Sequence, residues 1–238
     1  MQLADWLAQQ PFALAMSSGF FSFFAHTGML AALTARGLAP SSVSGSSAGA
    51  LVGGAWASGV SVDTLATRLF ALRRDDFWDP AFGVGLLAGG KFDALLREML
   101  PITSMRACPV PLQISAFAIA RRQTEVLHDV DLAHAIRASC AVPGLFHPVR
   151  IGRRAYWDGG ILDQPGLAGV PVGARVLCHH IASNGAAPRR TNMVTLVLDE
   201  LPRSGPFKLD AGRRALELAR TLTERALASD ISGEVVRA

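Results

Sequence analysis

The sequence predicts an α/β protein with a mainly parallel sheet flanked by helices. Three observations lead there. The first sixty residues run strand, loop, helix, strand, sharp turn, helix, an order that suits parallel strands joined by crossover helices. Half of the 238 residues are hydrophobic and only 18% are charged, which gives a sizeable core and too little charge for a disordered chain. No internal repeat or interdomain linker interrupts the pattern, so one domain over residues 1–238 is the simplest organisation.

Phe12 to Met16 is a short apolar run followed by Ser-Ser-Gly, the pattern of a buried strand leaving into a loop. His26 to Arg36 has helical spacing, with Met29, Leu30 and Leu33 on one side, Gly37 as the stop and Pro40 beyond it. Val43 sits in a second short strand that runs into Gly45-Ser46-Ser47-Ala48-Gly49, and Ala48 to Ser58 reads as a helix of small residues. Helices are expected over Ser61–Arg74 and Lys91–Leu100, the latter stopped by Pro101. Residues 75–90 between them read as a Gly-containing surface loop or lid. Leu112–Ala120 with Thr124–Leu127, and Val149–Ile151 with Ala155–Trp157, have the spacing of hairpins. A short helix is expected from Asp131 to Ala138, and strands over Arg175–Ile181 and Met193–Leu198. Asp210 to Ala228 reads as an amphipathic helix capped by Asp210, its apolar stripe being Ala211, Ala215, Leu218, Leu222 and Ala226.

Charge and cysteine content narrow the function classes. The net charge is +4, carried almost wholly by scattered Arg with Lys only at 91 and 208, too weak a basic signal for nucleic-acid binding. Cys108, Cys140 and Cys178 form neither a disulfide framework nor a metal cage, and free thiols suit a reducing cytoplasm. Between Trp6 and Val62 the only formal charge is Arg36, yet Gly, Ser, Pro and His interrupt every apolar run before it reaches a membrane-spanning length. The start, Met1-Gln2-Leu3-Ala4-Asp5, lacks the positive segment of a signal peptide.

The chemistry centres on Ser47. A G-x-S-x-G after a strand and before a helix is the context of a nucleophile elbow, a tight turn that projects the hydroxyl near a helix N-terminus and leaves no room for bulky neighbours. A serine hydroxyl needs a base to become a nucleophile. Two arrangements supply one. His179 or His180 follows Asp158 in the chain order of Ser-acid-His hydrolases, although both histidines fall inside an expected strand. Asp158, followed by Gly159-Gly160, is the other candidate, and the same Asp-Gly pattern also fits a plain hairpin turn.

Together these segments resemble the patatin-like phospholipase family. The resemblance rests on the strand, loop and helix of residues 12–33 with the elbow Gly45-Ser46-Ser47-Ala48-Gly49, on "AIRASCAVPGLFHPV" at 135–149, and on Asp158-Gly159-Gly160, in that order. It implies a three-layer α/β/α fold with a mainly parallel central sheet. It also implies a serine acyl hydrolase of lipase, phospholipase A or carboxylesterase type, with a Ser47-Asp158 dyad and no histidine. Ser47 would attack an ester carbonyl, and Asp158 would take its proton and later help water to hydrolyse the acyl-enzyme. Gly45, Gly49, Gly159 and Gly160 would support the two turns. A lipid or other ester would be the substrate, with peripheral contact at a lipid or membrane surface compatible with the resemblance. No cofactor is implied, and no His/Cys/Asp cluster has metal-ligand spacing.

The sequence departs from the family where the oxyanion loop should be. In place of G-G-G-x-R-G stands "SGFFSF", Ser18 to Phe23, keeping only Gly19. Any residue but proline supplies a backbone N–H, so Gly19 and Phe20 are the expected oxyanion donors, aided by a helix starting near Ala25. A positive φ at Phe20 would cost roughly 1–2 kcal/mol. The loop is therefore either rebuilt around Phe20 and active, or the chain is a weak or inactive lipid-binding relative. Phe23 and Phe24 are expected in the core, while Phe20 or Phe21 could line an acyl pocket. Asp163 reads as a solvated or capping carboxylate.

Overall fold

The computed structural model describes residues 1–238, the side chain of Asn184 excepted. In chain order the first half comprises α1 (Leu3–Ala8), β1 (Ala13–Met16), α2 (Phe23–Ala35), β2 (Ser42–Ser46), α3 (Ala48–Ala57), α4 (Val62–Ala71), β3 (Gly85–Leu87) and α5 (Gly90–Met99). The second half comprises β4 (Leu112–Ala118), β5 (Gln123–Leu127), α6 (Leu132–Ser139), β6 (Gly144–Phe146), β7 (Val149–Ile151), β8 (Arg154–Trp157), β9 (Val176–Ile181), β10 (Met193–Leu198), α7 (Leu209–Ala228) and β11 (Val235–Arg237).

The main sheet has the order β11-β10-β9-β1-β2-β4-β8-β7, with β5 also on β4. Every pair from β11 to β4 is parallel, and β5, β8 and β7 add antiparallel strands at one end. This is the α/β class with a mainly parallel central sheet that the sequence predicts. The central strands β1 and β10 are buried at every position, as strands covered on both faces must be. Leu14 and Met16 of β1 join the large core beneath the helices, while Ala13 and Ala15 pack with Leu167 and Val170 of the segment that closes the opposite face.

Helix α2 is buried from Phe24 to Leu30 with no polar side, as befits a helix enclosed by its neighbours. It begins at Phe23, three residues before the expected start, and ends as predicted. Gly37 takes φ 68°, its N–H reaches Thr34 C=O, and Leu38 N–H reaches Leu33 C=O. α7 differs in its facing. Ala215 and Ala226 of the expected stripe are buried, but the line continues through Gly212, Leu216, Ala219, Thr223 and Leu227, and Leu218 and Leu222 are only half-buried. The small residues decide this, because a Cβ at Gly212 would strike the Phe24 ring and one at Gly28 the Leu216 carbonyl oxygen. Asp210 does not cap α7; Lys208 occupies that position, and Asp210 pairs with Arg213.

Residues 75–90 are not wholly loop. Phe77 and Leu87 are buried, and β3 pairs in parallel with β6 as a separate two-stranded sheet. The strands β3, β6 and β11 and the helix α1 carry no pattern long enough to be read locally.

Candidate active site

Ser47 sits between β2 and α3 with φ 52° and ψ −118°, a conformation that a side chain rarely adopts. The surrounding contacts enforce it. A Cβ at Gly49 would collide with the Met16 carbonyl oxygen at the end of β1, and Gly45 lies directly against Gly49. The elbow is thus pressed onto the neighbouring strand, and small residues on α3 permit that approach.

The topology of β4 delivers the acid. β2 pairs with β4 only as far as Ser46 opposite Ser115. Two residues further along β4, Phe117 pairs with Trp157 of β8, which takes over the edge that β2 has left. The residues leaving those two strands, Ser47 and Asp158, therefore face each other, and Ser47 Oγ donates to Asp158 Oδ2 at 2.6 Å. Asp158 does not occupy a hairpin turn. It caps a short 3₁₀ turn over Gly159–Ile161, accepting the Gly160 N–H on Oδ1 at 2.7 Å, while its own N–H reaches Ala141 C=O at 2.9 Å. Gly159 lies so close to the Ser115 carbonyl that a Cβ would overlap it.

Burial dominates the electrostatics. Asp158 is only 6% exposed, and among the described residues no cation pairs with it. Loss of hydration pushes its pKa up to about 6, partly offset by the hydrogen bonds from Ser47 and Gly160. It is therefore ionised at neutral pH and basic enough to accept a proton.

Two residues unnoticed in the sequence hold the elbow. Ser139, at the end of α6, accepts the Ser47 N–H on its Oγ at 2.8 Å and donates to Ser115 C=O at 2.7 Å. Cys140 Sγ donates to Ser47 C=O at 3.2 Å. The first turn of α3 already uses the Ser47 C=O, which accepts the Leu51 N–H at 3.0 Å, so Cys140 adds a second donor there, while Ser139 supplies the partner for the Ser47 N–H. The available signal was a Ser next to a Cys in the mostly apolar "AIRASCAV".

The loop before α2 departs from expectation in one respect. Positive φ falls on Phe21, at 57°, and not on Phe20. The cause is a turn closed from Ser22 N–H to Gly19 C=O at 3.1 Å, which puts its left-handed residue third, at Phe21. The Phe21 ring packs against Phe20, Phe23 and Phe77. The Gly19 and Phe20 N–H groups take no partner among the described residues, and both residues line the same cavity as Ser47 and Asp158. Phe24 is fully buried as expected, whereas Phe23 is half-buried and faces the cavity.

That cavity is about 430 Å³. Ser47 and Asp158 sit at one wall, and Leu65, Leu69, Leu72, Leu95 and Met99 supply much of the rest. Arg68 is the only cationic residue that lines it, and it pairs with Glu98 at 2.7 Å.

Neither histidine candidate reaches Ser47. His179 is completely buried, and its Nδ1 faces His26 Nδ1 at 2.8 Å. His180 is 1% exposed, burial lowers its pKa, and the backbone group that acts on its ring is that of Gly185. Asp163 is a capping residue, but a buried one rather than solvated, and it accepts the N–H groups of Leu167 and Ala168 at 2.9 and 3.0 Å. Among the described residues no cluster of three or more His, Cys, Asp or Glu is arranged to hold a metal ion.

The site thus brings a strained serine on a strand-to-helix elbow into a hydrogen bond with a buried aspartate at the wall of an apolar cavity. Comparison with known proteins gives the family. The profile described as patatin-like phospholipase matches residues 14–170, and the chain belongs to that family. An uncharacterized NTE family protein of Mycobacterium tuberculosis is 31% identical over 216 residues, covering 86% of this chain and 60% of that protein. A second one from the same species is 31% identical over 167 residues, 68% of this chain and 28% of its own length. The chain thus spans less than two thirds of the length of these relatives. The crystal structure of VipD from Legionella pneumophila superposes with a TM-score of 0.63 at 16% identity, covering 91% of this chain and 66% of VipD, which supports the fold.

Proposed function

We propose that the protein is a serine acyl hydrolase acting on lipid or other carboxylic esters through a Ser47-Asp158 dyad. The observation that carries this reading is the 2.6 Å hydrogen bond from Ser47 Oγ to Asp158 Oδ2 at the wall of the apolar cavity. Asp158 takes the hydroxyl proton as Ser47 Oγ bonds to the ester carbonyl carbon. The carbonyl oxygen becomes an oxyanion, stabilised by the N–H groups of Gly19 and Phe20 and by the start of α2. Collapse of this intermediate breaks the bond to the alcohol, which leaves with the proton from Asp158. Water then gives a proton to Asp158 and its oxygen to the acyl carbon; the bond to Ser47 Oγ breaks, Asp158 returns that proton to Ser47, and the acid departs.

The cavity suits an acyl chain, and Phe20 and Ile161 at its lining are 57% and 41% exposed, as contact with a lipid surface would require. No described helix is long and apolar enough to cross a membrane.

The test is intact mass after treatment with a fluorophosphonate, for the wild type, Ser47→Ala and Asp158→Asn. The expected result is a single adduct on the wild type that is absent from both variants. No adduct on folded wild type would favour the alternative, a catalytically weak or inactive lipid-binding relative whose Phe21-containing loop fails to present its donors.

A further inference from the structure

Behind the proposed oxyanion loop lies a pair of buried histidines that the chemistry above leaves unused. His26 on α2 and His179 on β9 are both fully buried, with ring planes at 89° and Nδ1 atoms 2.8 Å apart. The second nitrogen of His26, Nε2, is 2.8 Å from the Ser17 carbonyl oxygen. A carbonyl only accepts, so His26 carries a hydrogen on Nε2. Burial keeps both rings neutral, with His26 lowered to about 4 and His179 well below the usual imidazole value, helped by the neighbouring His180. A neutral ring has one hydrogen, so His26 Nδ1 is bare and the hydrogen between the rings belongs to His179 Nδ1. His179 Nε2 is then bare too, and it is without a partner among the described residues. The orphan is a lone pair and not an N–H, the less costly kind to bury.

The Ser17 carbonyl leads directly to the proposed donors. Ser17 C=O and Ser18 N–H belong to one planar peptide, fixed by His26 at one end and by Gln164 C=O, at 2.8 Å, at the other. Ser17 Oγ accepts the Ile181 N–H at 3.0 Å and donates to Ser18 C=O at 3.1 Å. That carbonyl shares its peptide plane with the Gly19 N–H. His26 also lies on the helix that follows the loop, so its bond to Ser17 ties the two ends of the loop together.

We propose that His26 and His179 are positioning residues: His179 fixes His26 as the Nε2–H tautomer, and His26 holds the Ser17 carbonyl so that the next peptide directs the Gly19 N–H at the oxyanion. This rests on the acyl-hydrolase reading and assigns a role to residues outside the dyad.

The test pairs a spectroscopic signature with a rate. Long-range ¹H–¹⁵N spectra of histidine-labelled protein at neutral pH should show His26 as Nε2–H and His179 as Nδ1–H. Fluorophosphonate labelling of H179L, which has no donor, should be slower by at least about tenfold, part of the roughly 10²–10³ that a lost oxyanion donor costs. H179N places an amide N–H where Nδ1–H stood and should recover most of that loss. With an ester substrate the H179L defect should fall on kcat and not on KM. Should H179L fail to fold, H26Q against H26A gives the same comparison, because Gln keeps an N–H for Ser17 and Ala does not. His26 found as the Nδ1–H tautomer, or donor-free variants labelled at the wild-type rate, would overturn the proposal. A folded wild type that is not labelled at all would overturn the hydrolase reading, and this role with it.

Discussion

Asp158 receives two hydrogen bonds, from Ser47 Oγ on one carboxylate oxygen and from Gly160 N–H on the other, while sitting almost out of reach of water. In the proposed mechanism the first bond is the proton path; the second fixes the carboxylate plane, and burial sets the basicity. Because its pKa lies at about 6, Asp158 is ionised above that value and protonated below it. The rate of ester hydrolysis, measured as kcat/KM from pH 4.5 to 9, should be flat above neutrality and fall tenfold per unit below about 6. A rate that stays flat down to pH 4.5 would remove Asp158 from the role of base. Asp158→Asn should lower the rate by roughly 10²–10⁴.

The same burial costs stability. A carboxyl whose folded pKa exceeds its unfolded value favours the folded state while protonated, and that contribution is lost as pH rises from about 4 to about 6. Asp158→Asn should therefore unfold at higher denaturant than the wild type at pH 8, by on the order of 2–3 kcal/mol. Its amide can accept from Gly160 and donate to a rotated Ser47 hydroxyl. The gap should close below pH 4. Urea titrations at pH 4 and pH 8 measure it, and equal stability at both would contradict the buried charge.

Ser139 joins the elbow to β4 through a single buried oxygen. Ser139→Ala leaves the Ser47 N–H and the Ser115 carbonyl without that partner. Stability should fall by about 1–3 kcal/mol. Fluorophosphonate labelling should slow as well, because the strained Ser47 backbone loses a support. Unchanged labelling would mean that Cys140 and the packing of Gly49 suffice.

Phe20 permits a clean test of a backbone donor. It is the second residue of the Gly19–Ser22 turn, a position that proline favours. Phe20→Pro removes the N–H with little change to the turn, whereas Phe20→Ala removes only the ring. The expected loss in kcat is about 10²–10³ for Pro and much less for Ala. Equal losses would assign the effect to the side chain.

The cavity wall sets which acyl chain fits. Leu69 lines the cavity and is itself 7% exposed. Leu69→Trp should fill part of the space and shift preference toward shorter acyl esters, read as the ratio of kcat/KM across a p-nitrophenyl ester series. A uniform fall across the series would place the acyl chain elsewhere.

How much of this was legible in the sequence depends on how local each signal is. The elbow and its flanking elements are contiguous, so strand pattern, small residues and turn chemistry mark them together. Gly37 at the end of α2 is legible for the same reason. Asp158 could be picked out by its motif, but the reason it meets Ser47 is the replacement of β2 by β8 along β4, which no local pattern records. Ser139 and His179 act through partners 92 and 153 residues away. The facing of α7 was legible at Ala215 and Ala226 but not at Gly212, because periodicity weighs Leu above Gly, whereas close packing on α2 put Gly212 inside. The strain at Phe21 rather than Phe20 follows from a single turn hydrogen bond, invisible to a family pattern whose third glycine falls on Phe20.

The far wall of the cavity, from Leu65 to Met99, comes from one continuous stretch of chain, the crossover between β2 and β4. The nucleophile precedes that stretch and the acid follows it. Replacing residues 62–99 as a unit would exchange this wall while Ser47 and Asp158 stay at their own strand ends, and such a chimera is the natural way to transplant acyl selectivity.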